Sequence, residues 1–387
     1  MTLELNLKEK KDSYNPFRIQ MVDLKNQYTR YESEFDNAIK NVLINGNFIN
    51  GSQVDEFSKS LSNWTGSKFV SPCANGTDAL QIAYMSLGLK PGDEVIVPSF
   101  NYVAAAEAAI LLGLVPIFVD CDKRTFNMSI ESVLESITTK TKALVAVHLF
   151  GQACDLESLA SICDEKGIFL IEDNAQSIGA EILSGKFVGK KLGTIGIIGT
   201  TSFFPSKNLG CMGDGGALFC QNRELYDRIQ MIVNHGQKVR YEYETIGMNS
   251  RLDTIQASIL LVKMKYIDEF TKARIQAANA YNLELSEISG LNTPLKSNWT
   301  NHVYHQYTLI FEDENSRDLA RNKLNSVGIQ NMIYYPKPLH LHPAYESKLN
   351  PKGSLPNSEW LGSRVLSLPI HSEMTHDLVK EISHYLK

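Results

Sequence analysis

The sequence predicts an α/β fold: a mostly parallel central sheet covered by helices, followed by a smaller C-terminal α+β domain. Three observations carry the prediction. Short apolar runs recur at 68–72 (KFVSP), 94–98 (EVIVP), 115–119 (VPIFV), 143–149 (ALVAVHL), 167–172 (GIFLIE) and 216–220 (GALFC). Stretches with helical spacing at 77–88, 102–113, 129–137 and 156–167 separate several of them. Such alternation reads as βα units, because parallel neighbours need a crossover and a helix supplies it. The third observation is size: 387 residues, 43% hydrophobic and 21% charged, suffice for a large core and two or three domains.

Taken in order, residues 1–15 read as a disordered, polar lead-in. From about 18 to 45, Leu24, Tyr28, Tyr31, Phe35, Ile39 and Val42 recur at helical spacing. The βα units follow, and together these form a large domain over 16–270. Residues 252–285 hold neither proline nor glycine and predict one long helix leading into the second domain. From about 290 the pattern changes to YHQYTLIF, a helix at 315–327, YYPKPLH and SLPIH, which predicts a small domain over 271–387. No internal repeat or low-complexity segment is visible.

Composition excludes several classes of function. A net charge of −5 and a pI near 6.0 argue against an electrostatically driven nucleic-acid binder. The six cysteines (73, 121, 154, 163, 211, 220) show no CxxC and no metal-ligand spacing with histidine. That is the pattern of reduced, cytosolic cysteines, with no metal site expected. The polar start MTLELNLKEKKDSYNP lacks a signal-peptide core, and no uncharged apolar stretch is long enough to span a membrane. A cytoplasmic protein is expected.

Four stretches carry chemistry. In CANGTDAL (73–80), Asn75, Gly76 and Thr77 lie between a strand and a helix, where backbone N–H groups suit a phosphate; a plain helix cap by Thr77 is the alternative. In LIEDNAQSIGA (170–180), Asp173 ends an apolar strand, where a carboxylate needs a cationic partner such as a protonated heterocyclic nitrogen. Gln176 can hydrogen-bond a phenolic oxygen on the same ring, and Asp173 as a helix cap is again the alternative. In SFFPSKNL (202–209), Lys207 stands between a strand and the glycine-rich turn at 210–216. A desolvated lysine becomes a nucleophile. If the strands end at one rim, acid, phosphate-binding hydroxyl and amine face one cavity, the set that pyridoxal phosphate requires. In GMNSRLDTIQ (247–256), Arg251 can pair with a carboxylate or phosphate, or lie on the surface beside Asp253.

With NGTDAL, IEDNAQS, SFFPSKNLGCMGDGGA, NHGQ and GMNSRLDTIQA in this order, the chain from about Ile19 to Leu386 resembles the DegT/StrS nucleotide-sugar aminotransferases. These are pyridoxal-phosphate enzymes of fold type I. The resemblance implies that Lys207 forms the Schiff base, Asp173 holds the pyridinium nitrogen and Gln176 meets the ring hydroxyl. It further implies that Gly76, Thr77 and Ser202 take the cofactor phosphate and that Tyr102 stacks on the ring. Asn249 reaches the cofactor of the neighbouring subunit, while Arg251, Tyr334 and Tyr335 face substrate. Two positions depart from the pattern: Asn174 stands where members often carry alanine, and Tyr334 where related enzymes carry histidine.

The expected reaction moves an amino group from glutamate to a keto-sugar nucleotide. The turn KNLGCMGDGGA (207–217) most resembles enzymes that aminate C3 of UDP-2-acetamido-3-keto sugars. The 3-keto uronic acid used for bacterial surface polysaccharides is preferred, and a 4-keto sugar is the alternative. A homodimer with shared sites is expected, since 236–251 is long, polar and aromatic for an internal connection. A sugar dehydratase on the same scaffold would lack the lysine. A non-catalytic sensor would have no use for the Asp173, Gln176 and Lys207 set.

Overall fold

The computed structural model describes residues 17–345 and 350–387, so the lead-in expected at 1–15 lies outside the described residues. The chain opens with helices α1 (Leu24–Arg30), α2 (Glu32–Asn45) and α3 (Ser52–Thr65). The alternating part follows: β1 (Phe69–Cys73), α4 (Gly76–Ser86), β2 (Glu94–Pro98), α5 (Ala104–Leu111), β3 (Val115–Val119) and α6 (Ile130–Ser136). Next come β4 (Thr141–Val147), α7 (Leu156–Lys166), β5 (Phe169–Asp173), β6 (Ile198–Ser202), β7 (Gly216–Cys220) and α8 (Arg223–Val233). Every apolar run marked in the sequence coincides with one of these strands to within a few residues.

The seven strands form one sheet in the order β1-β7-β6-β5-β4-β2-β3. The pairings from β3 through β6 are parallel, and β7 runs antiparallel to both β6 and β1. Side chains alternate across this sheet. Val145, Ile171 and Ile198 pack with α4 and α5 on one face, while Leu144, Ala146 and Leu170 pack with α7 on the other. The strand β6 carries Gly199 for a local reason: a Cβ there would overlap the Gly193 carbonyl.

Residues 252–285 are two helices, not the single one expected. Helix α9 (Thr254–Met264) stops at Lys265, and Tyr266 begins α10 (Ile267–Leu285) with non-helical angles. The break has a tertiary cause. The Tyr266 ring stacks on Tyr31 at 4.1 Å and its hydroxyl donates to Glu34, while Lys265 Nζ bonds the same Glu34 carboxylate at 2.7 Å. Contacts with the N-terminal helices thus override a locally unbroken helical pattern. Between α8 and α9 lies a two-stranded hairpin, β8 (Gln237–Val239) and β9 (Glu242–Tyr243).

The C-terminal part is a three-stranded antiparallel sheet of β10 (Leu291–Asn292), β11 (Tyr307–Phe311) and β12 (Val365–Leu368). Helices α11 (Glu314–Ser326), α12 (Pro356–Gly362) and α13 (His376–His384) complete it. Ile19 joins this unit by bridging to Ile329, and Ile370 N donates to Met21 O. Two polar clamps tie the unit to the large sheet. Asp120, just after β3, accepts from Asn357 N and Ser358 N at the start of α12. Ser99 Oγ, just after β2, bonds His340 Nδ1 at 2.7 Å, whose Nε2 meets Glu359 at 3.2 Å.

Candidate active site

The parallel strands end together, and their carboxyl ends open on a cavity of about 400 Å³. At its rim α4 begins. Asn75 caps this helix by accepting from Asp78 N at 2.8 Å, so the cap is Asn75 rather than Thr77. Gly76 and Thr77 then form the first turn and line the cavity beside Ser202 at the end of β6. The approach is close: a Cβ on Gly76 would lie 2.7 Å from Ser202 Cβ. A helix N-terminus beside a hydroxyl is a setting that suits an anion.

Asp173 ends β5 and is buried. Its Oδ1 accepts from Ala175 N at 3.0 Å, which fixes the carboxylate at a turn, not at a helix start. Burial pushes its pKa up, against the pull of that N–H and of Lys207. Lys207 lines the same cavity, and among the described residues its amine makes no hydrogen bond. Burial lowers its pKa to about 8, with Asp173 acting in the opposite sense. Gln176 is held in place: its Oε1 accepts from Phe150 N at 2.8 Å and its Nε2 donates to the Tyr335 hydroxyl at 3.2 Å. Tyr102, Tyr334 and Tyr335 complete the wall, Tyr102 being largely exposed.

Two residues singled out in the sequence lie elsewhere. Asn249 sits exposed on the strand-like stretch bridged to Asn234. Arg251 donates to Asn234 Oδ1 at 3.0 Å and lines a separate depression of about 240 Å³ with Asn50, Asp55 and Gln230. The sequence reading also missed residues that share the cavity: Asn101, Phe204, Asp214, His305 and Gln306. Only the dense polar and aromatic text of YHQY hinted at the last two. Among the described residues no cluster of acidic, histidine or cysteine side chains is arranged to hold a metal.

The family model for DegT/DnrJ/EryC1/StrS aminotransferases matches residues 29–387. The chain belongs to this family. It is accordingly an aminotransferase that depends on pyridoxal phosphate, with the fold-type-I architecture of its relatives. The chain is 41% identical over 94% of its length, and 98% of the relative's, to a UDP-2-acetamido-2-deoxy-3-oxo-D-glucuronate aminotransferase of Pseudomonas aeruginosa. It is 36% identical over 95% of its length, and 97% of the relative's, to a UDP-N-acetyl-3-dehydro-alpha-D-glucosamine 3-aminotransferase of Acidithiobacillus ferrooxidans. The crystal structure of a family aminotransferase from Brucella abortus superposes with a TM-score of 0.89 at 38% identity, covering 95% of this chain and 98% of the other. The cavity of this aminotransferase fits the cofactor: an acid with a single internal donor, a bare amine and a helix N-terminus cradled by Ser202 are the groups that pyridoxal phosphate needs.

Proposed function

We propose that this aminotransferase moves an amino group from glutamate to C3 of a UDP-linked 2-acetamido-2-deoxy-3-keto uronic acid, for bacterial surface polysaccharide, as a cytoplasmic homodimer with shared sites. The observation that carries the chemistry is the convergence of Lys207, Asp173 and the α4 N-terminus on one cavity. In this reading Gly76, Thr77 and Ser202 hold the cofactor phosphate, and Tyr102 covers the ring. Asp173 keeps a proton on the ring nitrogen, a charge pairing that offsets its own burial. Gln176, already oriented by Phe150, directs its amide at the ring hydroxyl. When bound, pyridoxal phosphate supplies an electron sink that lets a proton leave the carbon bearing nitrogen. Lys207 takes that proton and returns it at the neighbouring carbon. An amine with a pKa of about 8 is present in both forms near neutral pH and serves as base and acid in turn.

The choice of sugar is supported by the glucuronate relative and by the KNLGCMGDGGA turn, which follows Lys207 and brings Asp214 to the cavity wall, where it would help set how a sugar lies. The relative that acts on the neutral sugar makes the neutral 3-amino product the nearest alternative. Sharing of sites is supported by Asn249 and by the hairpin beside it. Both lie outside this chain's cavity, and the hairpin region leaves Val239, Tyr241, Tyr243 and Ile246 exposed.

The test is incubation with glutamate and a panel of keto-sugar nucleotides, with the product located by NMR. Nitrogen at C3 of a uronate is expected. Nitrogen at C4 overturns the regiochemistry, and a neutral 3-amino product overturns the uronate preference alone. Sharing is tested by exchanging subunits between inactive Lys207→Ala and Asn249→Ala proteins. Recovered activity is expected, and none after confirmed exchange sinks the shared site.

A further inference from the structure

We propose that His340 is a positioning residue for the substrate cavity: through Ser99 it latches the strap of chain that carries Tyr334 and Tyr335. The proposal rests on the reading of those two tyrosines as substrate-facing. Residues 333–338 cross from the small sheet to the large one. Their start is tied to β12, where Met332 N donates to Ser367 O at 3.1 Å and Ser367 N returns a bond to Met332 O at 2.7 Å. Their end is tied to the loop after β2, where Leu339 N donates to Ser99 O at 2.9 Å. Between these anchors, among the described residues, no backbone group of 333–337 joins a backbone hydrogen bond. A segment without ladder bonds takes its position from its ends and its side chains.

Both tyrosines of the strap line the cavity, as do Asn101 and Tyr102 in the loop that Ser99 opens. Ser99 thus stands where the two walls meet. Tyr335 has a hold of its own, since Gln176 Nε2 donates to its hydroxyl and the Phe100 ring meets it edge-on at 6.0 Å. The Tyr334 hydroxyl has no hydrogen-bond partner among the described residues, so its place depends on the strap.

The latch is a hydrogen-bond chain with one consistent direction. His340 N donates to Ser99 Oγ at 3.4 Å, so the hydroxyl proton goes to His340 Nδ1, 2.7 Å away. With Nδ1 accepting, the ring hydrogen sits on Nε2, which donates to Glu359 Oε1 at 3.2 Å. Gly353 N reaches the same oxygen at 2.6 Å. Glu359 lies on α12, whose first turn Asp120 holds, so the chain ends on a fixed element. Ser99 is 0% exposed and His340 1%, and water does not compete for their bond. Hydroxyl, imidazole and carboxylate stand in the order of a hydrolytic triad, but Ser99 is sealed and does not line the cavity. Its part is positional.

The test uses holoenzyme and glutamate alone, in single turnover followed by cofactor absorbance. Ser99→Ala should raise the glutamate concentration for half-maximal rate about threefold to tenfold, as for one buried hydrogen bond. Cofactor content should match wild type and the maximal rate should stay within about twofold of it. His340→Ala should give the same shift, and the double variant no more, because each change removes the same bond. Ser358→Ala is the control. It breaks a buried hydroxyl bond of the other clamp, to Asp120 at 2.6 Å, and should lower the thermal midpoint without moving the glutamate value. A wild-type value in Ser99→Ala, additive effects in the double variant, or an equal shift in Ser358→Ala overturns the proposal. If His340→Ala does not fold, the two serine variants decide alone. Wild type inert to glutamate overturns the donor named above, and the amino acid that does convert the cofactor then takes its place in the comparison. Tyr334→Ala in the same assay separates the two readings, because an unchanged value there condemns the substrate-facing role of Tyr334 itself.

Discussion

Glu172 and Asp173 are neighbours at the end of β5, both buried, and the two faces of the sheet treat them in opposite ways. Glu172 points to the face packed with α7, where Gly193 N, Ile195 N and Gly196 N donate to it at 2.6–2.8 Å and His148 Nε2 sits at 3.0 Å. Burial pushes its pKa up, but His148 and the N–H groups outweigh that and hold it below the usual range. Asp173 faces the cavity with one internal donor, and burial wins. Burial alone therefore does not mark a reactive carboxylate; the number of fixed donors does. A saturated acid pins a loop, and an undersupplied one waits for a ligand.

The largest effect is expected at the cation opposite Asp173. Lys207→Ala should lower turnover below about one hundredth of wild type and abolish covalent attachment of the cofactor, read by absorbance. Retained attachment would remove the reactive side of the comparison. Asp173→Asn is expected to keep part of the cofactor but lose about 100-fold or more in turnover. The same variant should be more heat-stable than wild type once the cofactor is stripped. The sign follows from the raised folded pKa: the penalty for ionised Asp173 is full above that value and vanishes as pH falls below the unfolded pKa. The stabilisation should accordingly be present at pH 7 and gone in strong acid. A variant less stable than wild type at pH 7 would break this account.

Glu172→Gln should show the reverse, with a stability loss of about 1–3 kcal/mol and turnover per folded molecule near wild type. Because the folded pKa of Glu172 is lowered, its contribution is present above the unfolded value and is lost as pH falls through the folded one. Melting curves of wild type and variant should converge only in acid below the ordinary carboxylate range, once the lowered folded pKa is passed. A variant whose turnover collapses while its melting point holds would move Glu172 into the chemistry.

Much of this was legible in the sequence because it is local. Apolar runs between helical stretches marked the strands, and the Gly76–Thr77 turn, Asp173 and Lys207 each lie at or shortly after a strand end, where a short motif carries its own context. The rest depends on distant partners. Nothing in 252–285 announces the break at Tyr266, since Tyr31 and Glu34 on α2's side of the fold cause it. His305 escaped notice because its place is set by Gly151 and Asn208, 154 and 97 positions away in the chain (305 − 151 and 305 − 208). His148 was read only as part of an apolar strand, and its pairing with Glu172 depends on how β4 and β5 lie in register.

The joining of Ile19 and Met21 to the C-terminal sheet also bears on how the protein is made. Met21 N bonds a side chain 309 positions later, on Gln330, so this segment leaves the ribosome long before the residues it docks on. Closing so long a loop is slow, and the large sheet can be complete before it happens. A chain released before Gln330 would carry a finished βα sheet with Ile19 left uncovered, an apolar flag for the chaperones and proteases that sort incomplete proteins.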